Sequence, residues 1–402
     1  MSIVFLSPTG QTGGAEAALH ELLAGLRESH PSWSLRLIVA SDGPLVARVE
    51  ALGVPVEVLP FPASLARLGD WGLGRGLWRR LLFLGRCAGV ALPALGYWRR
   101  LRRLLQVGSA QVIHTNGLKM HVLGAWARPR GTAVLWHLHD YAGRRQLAAR
   151  LLRRSVRHCS AIVANSNSVA EDMRRLCGDV VEIYPVWNAV DLTRFSPDGA
   201  RADLDALAGL ARAKGVVRVG LVATFARWKG HETFLKAVAM LPPELPVRAY
   251  IVGGPLYETA GSQVSIEELR SLVRSLGLDV RVGFTGFVED SATVMRALDV
   301  VVHASTEPEP FGLVIAEAMA CGKPVVTSRA GGAVELTEDG VNALAHEPGD
   351  TIALARCMAA LVRDAGLRER LGTAALNTAR QRFTRSRMVS QLAPIYESLV
   401  RS

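Results

Sequence analysis

The sequence is poor in cysteine and lacks the spaced pairs that build metal or disulfide frameworks. Its 402 residues include five cysteines with no C-x-x-C pair, at positions Cys87, Cys159, Cys177, Cys321 and Cys357. An odd number of widely spaced cysteines indicates neither a zinc site nor a disulfide framework. We therefore expect a reducing compartment.

We also expect neither a leader segment nor a membrane-spanning apolar run. The first eight residues lack a basic region and a long apolar core, and they are typical of a buried strand. Residues 81–98 are nearly all apolar, but Arg86 and Pro93 interrupt them. An arginine at the centre of a membrane span costs roughly 2.5–3.5 kcal/mol on insertion scales. We expect a cytoplasmic protein in which this stretch lies on a membrane surface and does not cross it.

Acidic residues are scarce in the N-terminal half, which carries the whole formal charge of +11. Residues 1–195 hold 24 Lys+Arg against 13 Asp+Glu, whereas residues 196–402 hold 23 of each. Residues 67–103 contain nine arginines, one acid and five interleaved aromatic residues, Trp71, Trp78, Phe83, Tyr97 and Trp98. Arginine and tryptophan beside an apolar face suit anionic lipid headgroups, which predicts a peripheral membrane element. A core helix with a solvated basic face is an alternative. A nucleic-acid patch is another, but no nucleic-acid-binding fold is recognisable, and we expect no nucleic-acid partner.

Short apolar runs alternate with helical stretches along the chain, which is the βαβ rhythm of an α/β protein with parallel sheets. A loop-like stretch, residues 190–199, interrupts this rhythm, and we place a domain boundary near residue 195. With 49% apolar residues, each half is long enough to form its own core. The predicted strands are Ile3–Leu6, Leu35–Ala40, Val54–Leu59, Gln111–His114, Ala133–Trp136, Ala161–Ala164, Val181–Tyr184, Val216–Val222, Val247–Val252, Val300–His303 and Val325–Thr327.

The most informative segment is residues 309–326, which holds two glutamates eight positions apart. Gly312 precedes a run of helix formers, so we expect a helix to begin near it and Glu309 to lie in the preceding loop. The first-turn amides of Gly312, Leu313 and Val314 would then form a seat for a diphosphate. Glu317 lies more than one turn into the helix. The alternative is an ordinary amphipathic helix with two solvated glutamates.

This segment resembles the E-x7-E signature of glycosyltransferase family 4, the retaining nucleotide-sugar glycosyltransferases of the GT-B fold. The matching residues are Glu309, Phe311, Gly312, Glu317, Ala318, Gly322 and Pro324–Val326. Weaker landmarks follow the family order at Asn165-Ser166, Asn188–Asp191, Gly253–Pro255, Phe284–Gly286 and Gly331–Glu335. The resemblance implies two Rossmann-like domains facing each other across a cleft. It assigns residues 1–195 plus 383–402 to an acceptor-side domain and residues 196–382 to a nucleotide-sugar-binding domain.

The resemblance also implies roles for the residues of this segment. Glu309 would contact the donor sugar and Glu317 the ribose. The amides from Phe311 through Gly312 and Leu313 to Val314 would meet the diphosphate.

Two glycine-rich or cationic loops carry further resemblance. The glycines at 10, 13 and 14 do not fit G-x-G-x-x-G, but Gly13-Gly14-Ala15-Glu16 resembles the family's G-G-x-E loop, which faces the donor phosphate. Residues 223–230 resemble the G-R-x-x-x-x-K-G loop, whose cations neutralise the diphosphate. Lys229 matches, but Thr224 stands where the family has arginine. We suggest that Arg227 substitutes for it; two solvated surface cations are the alternative.

Two histidines and a D-x-D string are candidate metal ligands. His137 and His139 lie on one face after a predicted strand, but no third ligand is evident at useful spacing. His139 resembles a family histidine near the donor sugar, and His114 with Asn116 ends a neighbouring strand. Residues 203–205 match D-x-D but lie in an Ala/Leu-rich stretch, so we expect solvated surface carboxylates there. No metal site is predicted.

The sequence thus predicts a retaining, metal-independent glycosyltransferase of the hexosyltransferase type that needs no cofactor. Its donor would be a UDP-, GDP- or ADP-sugar, and its acceptor a lipid-linked or cell-envelope saccharide at the inner face of the cytoplasmic membrane. Two alternatives of the same fold remain, a nucleotide-sugar epimerase and a non-catalytic protein that binds sugar nucleotides or lipids. A Rossmann oxidoreductase is disfavoured by the missing dinucleotide fingerprint.

Overall fold

The structure is a computed structural model that describes residues 1–66, 77–143, 146–255 and 263–401. It divides into two compact units, Met1–Ala189 with Arg385–Ser402, and Val190–Thr384. Each unit is built on one parallel sheet with helices on its faces, which confirms the predicted α/β fold class. Part of the basic stretch at residues 67–103 lies outside the described residues.

The described residues of the first unit form seven parallel strands in the order β3-β2-β1-β4-β5-β6-β7. Their bounds are β1 Ser2–Ser7, β2 Ser34–Val39, β3 Val56–Val58, β4 Val112–Asn116, β5 Ala133–Leu138, β6 Ala161–Ala164 and β7 Ile183–Pro185. The helices are α1 Gly14–Ser29, α2 Pro44–Glu50, α3 Ala63–Ala66, α4 Leu77–Val107, α5 Leu118–Ala127, α6 Gln146–Ser155 and α7 Asn167–Cys177. A 3-10 turn, Val156–His158, follows α6, and the C-terminal helix Arg385–Arg401 completes the unit.

Alternation along the buried strands divides the core of this unit between the two faces of the sheet. Ile3 and Phe5 face the side covered by α1, α2 and the C-terminal helix. Val4 and Leu6 face the side covered by α4, α5, α6 and α7. The chain reverses its winding direction between β1 and β4, so the ends of these strands lie at a topological switch point, where open α/β sheets bind ligands.

In the second unit, the part of the chain that the structure describes forms six parallel strands in the order β10-β9-β8-β11-β12-β13. They are β8 Val217–Val222, β9 Val247–Val252, β10 Val282–Gly286, β11 Val300–His303, β12 Val325–Ser328 and β13 Leu344–His346. The helices are α8 Leu204–Leu207, α9 His231–Ala239, α10 Ile266–Ser275, α11 Ser291–Ala297, α12 Leu313–Ala320, α13 Ala333–Leu336, α14 Thr351–Arg363 and α15 Ala365–Arg382. A 3-10 turn, Arg227–Lys229, precedes α9. The winding direction reverses between β8 and β11, and both strands end beside the candidate site.

Among the described helices, none combines the length and the apolar character that a membrane crossing requires.

Candidate functional site

The helix predicted near Gly312 is confirmed as α12, which begins at Leu313. Gly312 caps it with φ +97, a conformation that suits glycine, and a Cβ there would lie 2.8 Å from Ile315 Cδ1. The preceding loop is fixed by backbone pairing, because Gly332 N–H donates to Glu309 O at 2.7 Å. A Cβ on Gly332 would lie 2.2 Å from Pro310 O, so only glycine permits this approach. Local backbone chemistry therefore places Glu309 just ahead of the helix.

Glu309 is the centre of a buried polar network in the second unit. Its side chain is 10% exposed, and its Oε2 accepts from Lys229 Nζ at 2.7 Å. Ser305 Oγ donates to the same oxygen at 3.1 Å, and His303 Nε2 lies 3.2 Å from it. The alternative of a solvated glutamate is wrong for Glu309, since a carboxylate so deeply buried is held by charge-assisted hydrogen bonds.

A backbone contact orients the ring of His303. Ser328 N–H donates to His303 Nδ1 at 3.4 Å, which leaves Nε2 as the ring nitrogen that donates toward Glu309. Burial alone would raise the pKa of Glu309, but the Lys229 ammonium and the His303 imidazole outweigh it and hold that pKa below its usual range. Glu309 is therefore an acceptor-only carboxylate at neutral pH, suited to receive hydroxyl donors.

Lys229 reaches this network because the loop after β8 turns sharply. Gly230 has φ +75, and a Cβ there would lie 1.8 Å from Ala304 O at the end of β11. Lys229, Ser305 and Val314 line one small concavity at the carboxyl ends of β8 and β11. The structure thus brings the predicted lysine, the loop glutamate and the first turn of α12 together.

Arg227 and Phe311 have other contacts. Arg227 is exposed and its Nη2 donates to Glu268 Oε1 at 2.9 Å, where Glu268 is part of the capping box of α10. Phe311 is 2% exposed and packs edge-on against Phe383 with ring centroids 6.0 Å apart. Its side chain therefore belongs to the core, and only its backbone remains for a ligand. Leu313, Val314 and Glu317 are half-buried on α12.

In the first unit, Asn116 connects His139 with the start of α1, where Gly13 and Gly14 lie. Gly13 caps α1 and Gly14 is its first residue. Asn116 Nδ2 donates to Ala15 O at 3.3 Å, and its Oδ1 lies 3.0 Å from His139 Nε2. Because Asn116 Oδ1 can only accept a hydrogen bond, His139 carries a proton on Nε2. Burial lowers the pKa of His139 to about 4, so the ring is neutral at physiological pH.

A chain of buried side chains links the neighbouring strands to the C-terminal helix. Tyr396 Oη lies 2.7 Å from His114 Nδ1, and His114 Nε2 lies 3.2 Å from His137 Nδ1. Burial lowers the pKa of both imidazoles well below the usual range. Within the described ranges, no group of three His, Cys, Asp or Glu side chains could hold a metal ion.

The expectation of solvated carboxylates at residues 203–205 is wrong for Asp205. Asp203 caps the short helix α8, but Asp205 is 2% exposed. Its Oδ1 accepts from Arg248 Nη1 and Tyr250 Oη, each at 2.6 Å, and its Oδ2 from Arg218 Nη2 at 3.3 Å. These partners come from β8 and β9, so Asp205 ties α8 to the sheet.

Sequence reasoning missed His303 and Ser305 as partners of Glu309. The available signal was their position at the end of the predicted strand Val300–His303, where polar residues of an open sheet converge.

Comparisons with known proteins match both halves of the chain. The model described as "Glycosyl transferases group 1" matches residues 209–378, and "Glycosyl transferase 4-like domain" matches residues 13–189. A D-inositol 3-phosphate glycosyltransferase of Xylanimonas cellulosilytica is 34% identical over 243 residues, 59% of this chain and 56% of the relative. The chain thus spans about half the length of that relative.

Two further comparisons cover a larger share of the matched protein. The lipopolysaccharide core biosynthesis glycosyltransferase LpsE of Rhizobium meliloti is 31% identical over 66% of this chain and 73% of its own length. The crystal structure of Anabaena Alr3699/HepE in complex with UDP-glucose superposes with TM-score 0.79 and 28% identity, covering 99% of this chain and 100% of that one. Two Rossmann-like units with this likeness define the GT-B fold class. The chain belongs to the group 1 glycosyl transferases, which confirms the family predicted from the sequence.

Proposed function

We propose that this protein is a retaining glycosyltransferase that moves a hexosyl group from a nucleoside-diphosphate sugar to a hydroxyl acceptor without a metal ion. The observation that carries the proposal is the buried Glu309 carboxylate held by Lys229 beside the start of α12. This arrangement places three groups next to one another: backbone amides that can bind an anion, a positively charged side chain, and a carboxylate that accepts hydrogen bonds from hydroxyls.

Each part of this arrangement has a task in the proposed reaction. The diphosphate of the donor would lie at the amides of Gly312, Leu313 and Val314, next to the Lys229 ammonium. That positive charge would stabilise the negative charge that develops on the leaving diphosphate. Glu309 would accept hydrogen bonds from the hydroxyls of the donor sugar.

Further donor contacts are proposed in both units. Glu317 would hold the ribose from within α12, and Gly13, Gly14 and His139 remain proposed donor contacts of the first unit. Arg227 would have to leave Glu268 to reach a diphosphate; because both side chains are about half exposed, that exchange costs little.

The donor and acceptor are proposed from the comparisons. Anabaena Alr3699/HepE, at 28% identity, has been crystallised with UDP and UDP-glucose, which supports a UDP-sugar ahead of GDP- and ADP-sugars. The Rhizobium relative is a lipopolysaccharide core glycosyltransferase, which supports a lipid-linked or cell-envelope saccharide acceptor. The basic N-terminal half fits a peripheral position on the inner face of the cytoplasmic membrane.

The test is the release of nucleoside diphosphate from a panel of UDP-, GDP- and ADP-sugars, with and without a membrane-lipid extract and EDTA. We expect release from one donor that rises with the extract and is unchanged by EDTA. Retention is checked by NMR of the anomeric proton in the product. Conversion of the donor sugar without release would indicate an epimerase, and binding without conversion would indicate a non-catalytic protein.

A further inference from the structure

The helices α4, α5 and α6 form one basic face of the first unit. They cover the same side of the sheet, since Tyr97, Met120 and Leu152 share one apolar cluster with the strand residue Ile113. Between positions 71 and 170 the sequence has 17 Lys+Arg, and its one acidic residue there is Asp140. The described basic side chains on these helices and their C-terminal ends are Arg99, Arg100, Arg102, Arg103, Lys119, Arg128, Arg130, Arg150, Arg153, Arg154 and Arg157.

An apolar groove opens on this face between α5 and α6. Val122, Leu123, Trp126 and Leu151 line it, together with Arg154 and Ser155, around a volume of about 140 Å³. Trp126 is 45% exposed and Leu151 is 48% exposed. Trp126 Nε1 donates to Ser155 Oγ at 2.8 Å, so the polar edge of the indole is satisfied and its apolar surface remains at the groove.

Arg154 lines this groove, and further exposed guanidinium groups lie on α6 and in the turn that follows it. Arg150, Arg153, Arg154 and Arg157 are exposed, and within the part of the chain that the structure describes none of them forms an ion pair. Arg153 uses its Nε for Leu176 O, which leaves the other nitrogens of the group toward solvent. The groove therefore combines exposed apolar surface with unneutralised positive charge.

We propose that the α5–α6 groove is a docking surface for an anionic phospholipid membrane. Trp126 and Leu151 insert at the boundary between headgroups and acyl chains, where amphipathic tryptophan is favoured, and the arginines bind lipid phosphates. On the neighbouring helix α4, Leu92 is 79% exposed and Leu95 is 38% exposed, so that helix also presents apolar side chains to solvent.

The charge and the apolar lining of the groove disfavour two other binding partners, a second copy of the chain and a nucleic acid. A second copy of the chain would bring two faces of the same sign together, and like charges disfavour that pairing. A nucleic-acid backbone would pair with the arginines but would leave Trp126 and Leu151 exposed to water. The docking surface concerns where the protein would meet its acceptor, and in that respect it rests on the proposed function. Membrane binding itself requires no sugar-nucleotide donor.

The test is co-sedimentation of the full chain with vesicles of phosphatidylcholine alone or with phosphatidylglycerol, at low salt and without donor. Wild-type protein is expected to sediment with the anionic vesicles only. The double variant Arg150→Gln/Arg154→Gln is expected to bind about 30-fold more weakly, because each basic side chain contributes about 1 kcal/mol near such a surface. The matched control Arg212→Gln/Lys214→Gln makes the same change of charge at exposed positions of the second unit and is expected to bind as wild type.

A second pair of variants tests the apolar component. Leu151→Gln is expected to weaken binding roughly fivefold through lost apolar burial. Leu207→Gln is the matched control, since Leu207 is 46% exposed in the second unit. Brominated lipids should quench part of the tryptophan fluorescence of the wild type, and Trp126→Phe should remove that part.

Three results would overturn the proposal: equal sedimentation of Arg150→Gln/Arg154→Gln and its control, quenching that persists in Trp126→Phe, or a wild-type dimer that Leu151→Gln dissociates. Release of nucleoside diphosphate without vesicles is measured on the same preparations. Release with no vesicle binding refutes the docking surface alone, whereas vesicle binding with no release from any donor refutes the proposed function alone.

Discussion

Replacing Lys229 with methionine should destabilise the second unit far more than a surface lysine substitution would. Lys229 Nζ lies 2.7 Å from Glu309 Oε2, and the two side chains are 18% and 10% exposed. Removing one partner of a buried pair leaves an uncompensated charge, which typically costs about 3–5 kcal/mol. We therefore expect Lys229→Met to lower the free energy of unfolding by about 3 kcal/mol or more at pH 8.

The control is Lys236→Met on α9. Lys236 Nζ also lies 2.7 Å from a glutamate oxygen, Glu232 Oε1, but those side chains are 48% and 68% exposed. Exposed pairs of this kind contribute about 0.3–0.5 kcal/mol. The double variant Lys229→Met/Glu309→Gln should recover much of the lost stability, because it removes the unpaired charge as well as its partner.

The free energy of unfolding should change with pH in a defined direction. In the wild type the pKa of Glu309 lies below its ordinary 4.5, so its ion pair stabilises the fold above pH 4.5 and the contribution is lost as pH falls toward the folded-state pKa. In Lys229→Met, burial raises the pKa of Glu309, so protonation relieves the penalty as pH falls from 8 to 5. Urea denaturation with hydrogen exchange of peptides from the second unit measures both effects. A pH-independent loss below about 1 kcal/mol, equal to that of Lys236→Met, would refute the buried network.

Three further predictions follow from single contacts. His303→Leu should reduce stability by about 1–3 kcal/mol by leaving Glu309 short of a donor, and His303→Gln, which keeps an N–H donor, should restore part of it in urea denaturation. Asp205→Ala should cost about 3 kcal/mol, seen as a lowered Tm, because it strands the Arg248 guanidinium, which is 15% exposed. His139 is neutral when folded, with a pKa of about 4 against an ordinary 6.5, so its stabilising contribution is complete above pH 6.5 and is lost as pH falls toward 4. The stability of the first unit should therefore fall by about 1.4 kcal/mol per pH unit for this group across that range, and His139→Gln should flatten the slope measured by chemical denaturation.

The strands were predictable where the sequence contains a separate buried run rich in β-branched residues. All eleven predicted strands correspond to strands of the two sheets. Two of the described strands were missed. β10 contains Gly283 and Gly286 and therefore lacks a continuous apolar run, and β13, Leu344–His346, contains no β-branched residue. Short edge elements of this kind depend on pairing with a neighbouring strand, which a local pattern does not reveal.

The candidate site was predictable in its parts, but its contacts were not. The start of α12 followed from Gly312, since a helix former after a glycine gives a local signal. The Lys229–Glu309 pair joins residues 80 positions apart, and only the parallel order of β8 and β11 brings them together. Asp205 was misread for the same reason, because its partners Arg218, Arg248 and Tyr250 lie on strands that follow it in the chain. Local composition predicts elements, whereas buried polar pairs depend on topology.

The most direct test of the diphosphate site is calorimetric titration of nucleoside diphosphates into the wild type, Lys229→Met and Lys236→Met at a pH where all three are folded. We expect the wild type and Lys236→Met to bind one nucleoside diphosphate equally well. Lys229→Met should bind it at least about tenfold more weakly, as expected for the loss of a charge-assisted contact. Equal affinity for all three proteins, or no binding of UDP, GDP or ADP to the wild type, would contradict a diphosphate site at Lys229 and the start of α12.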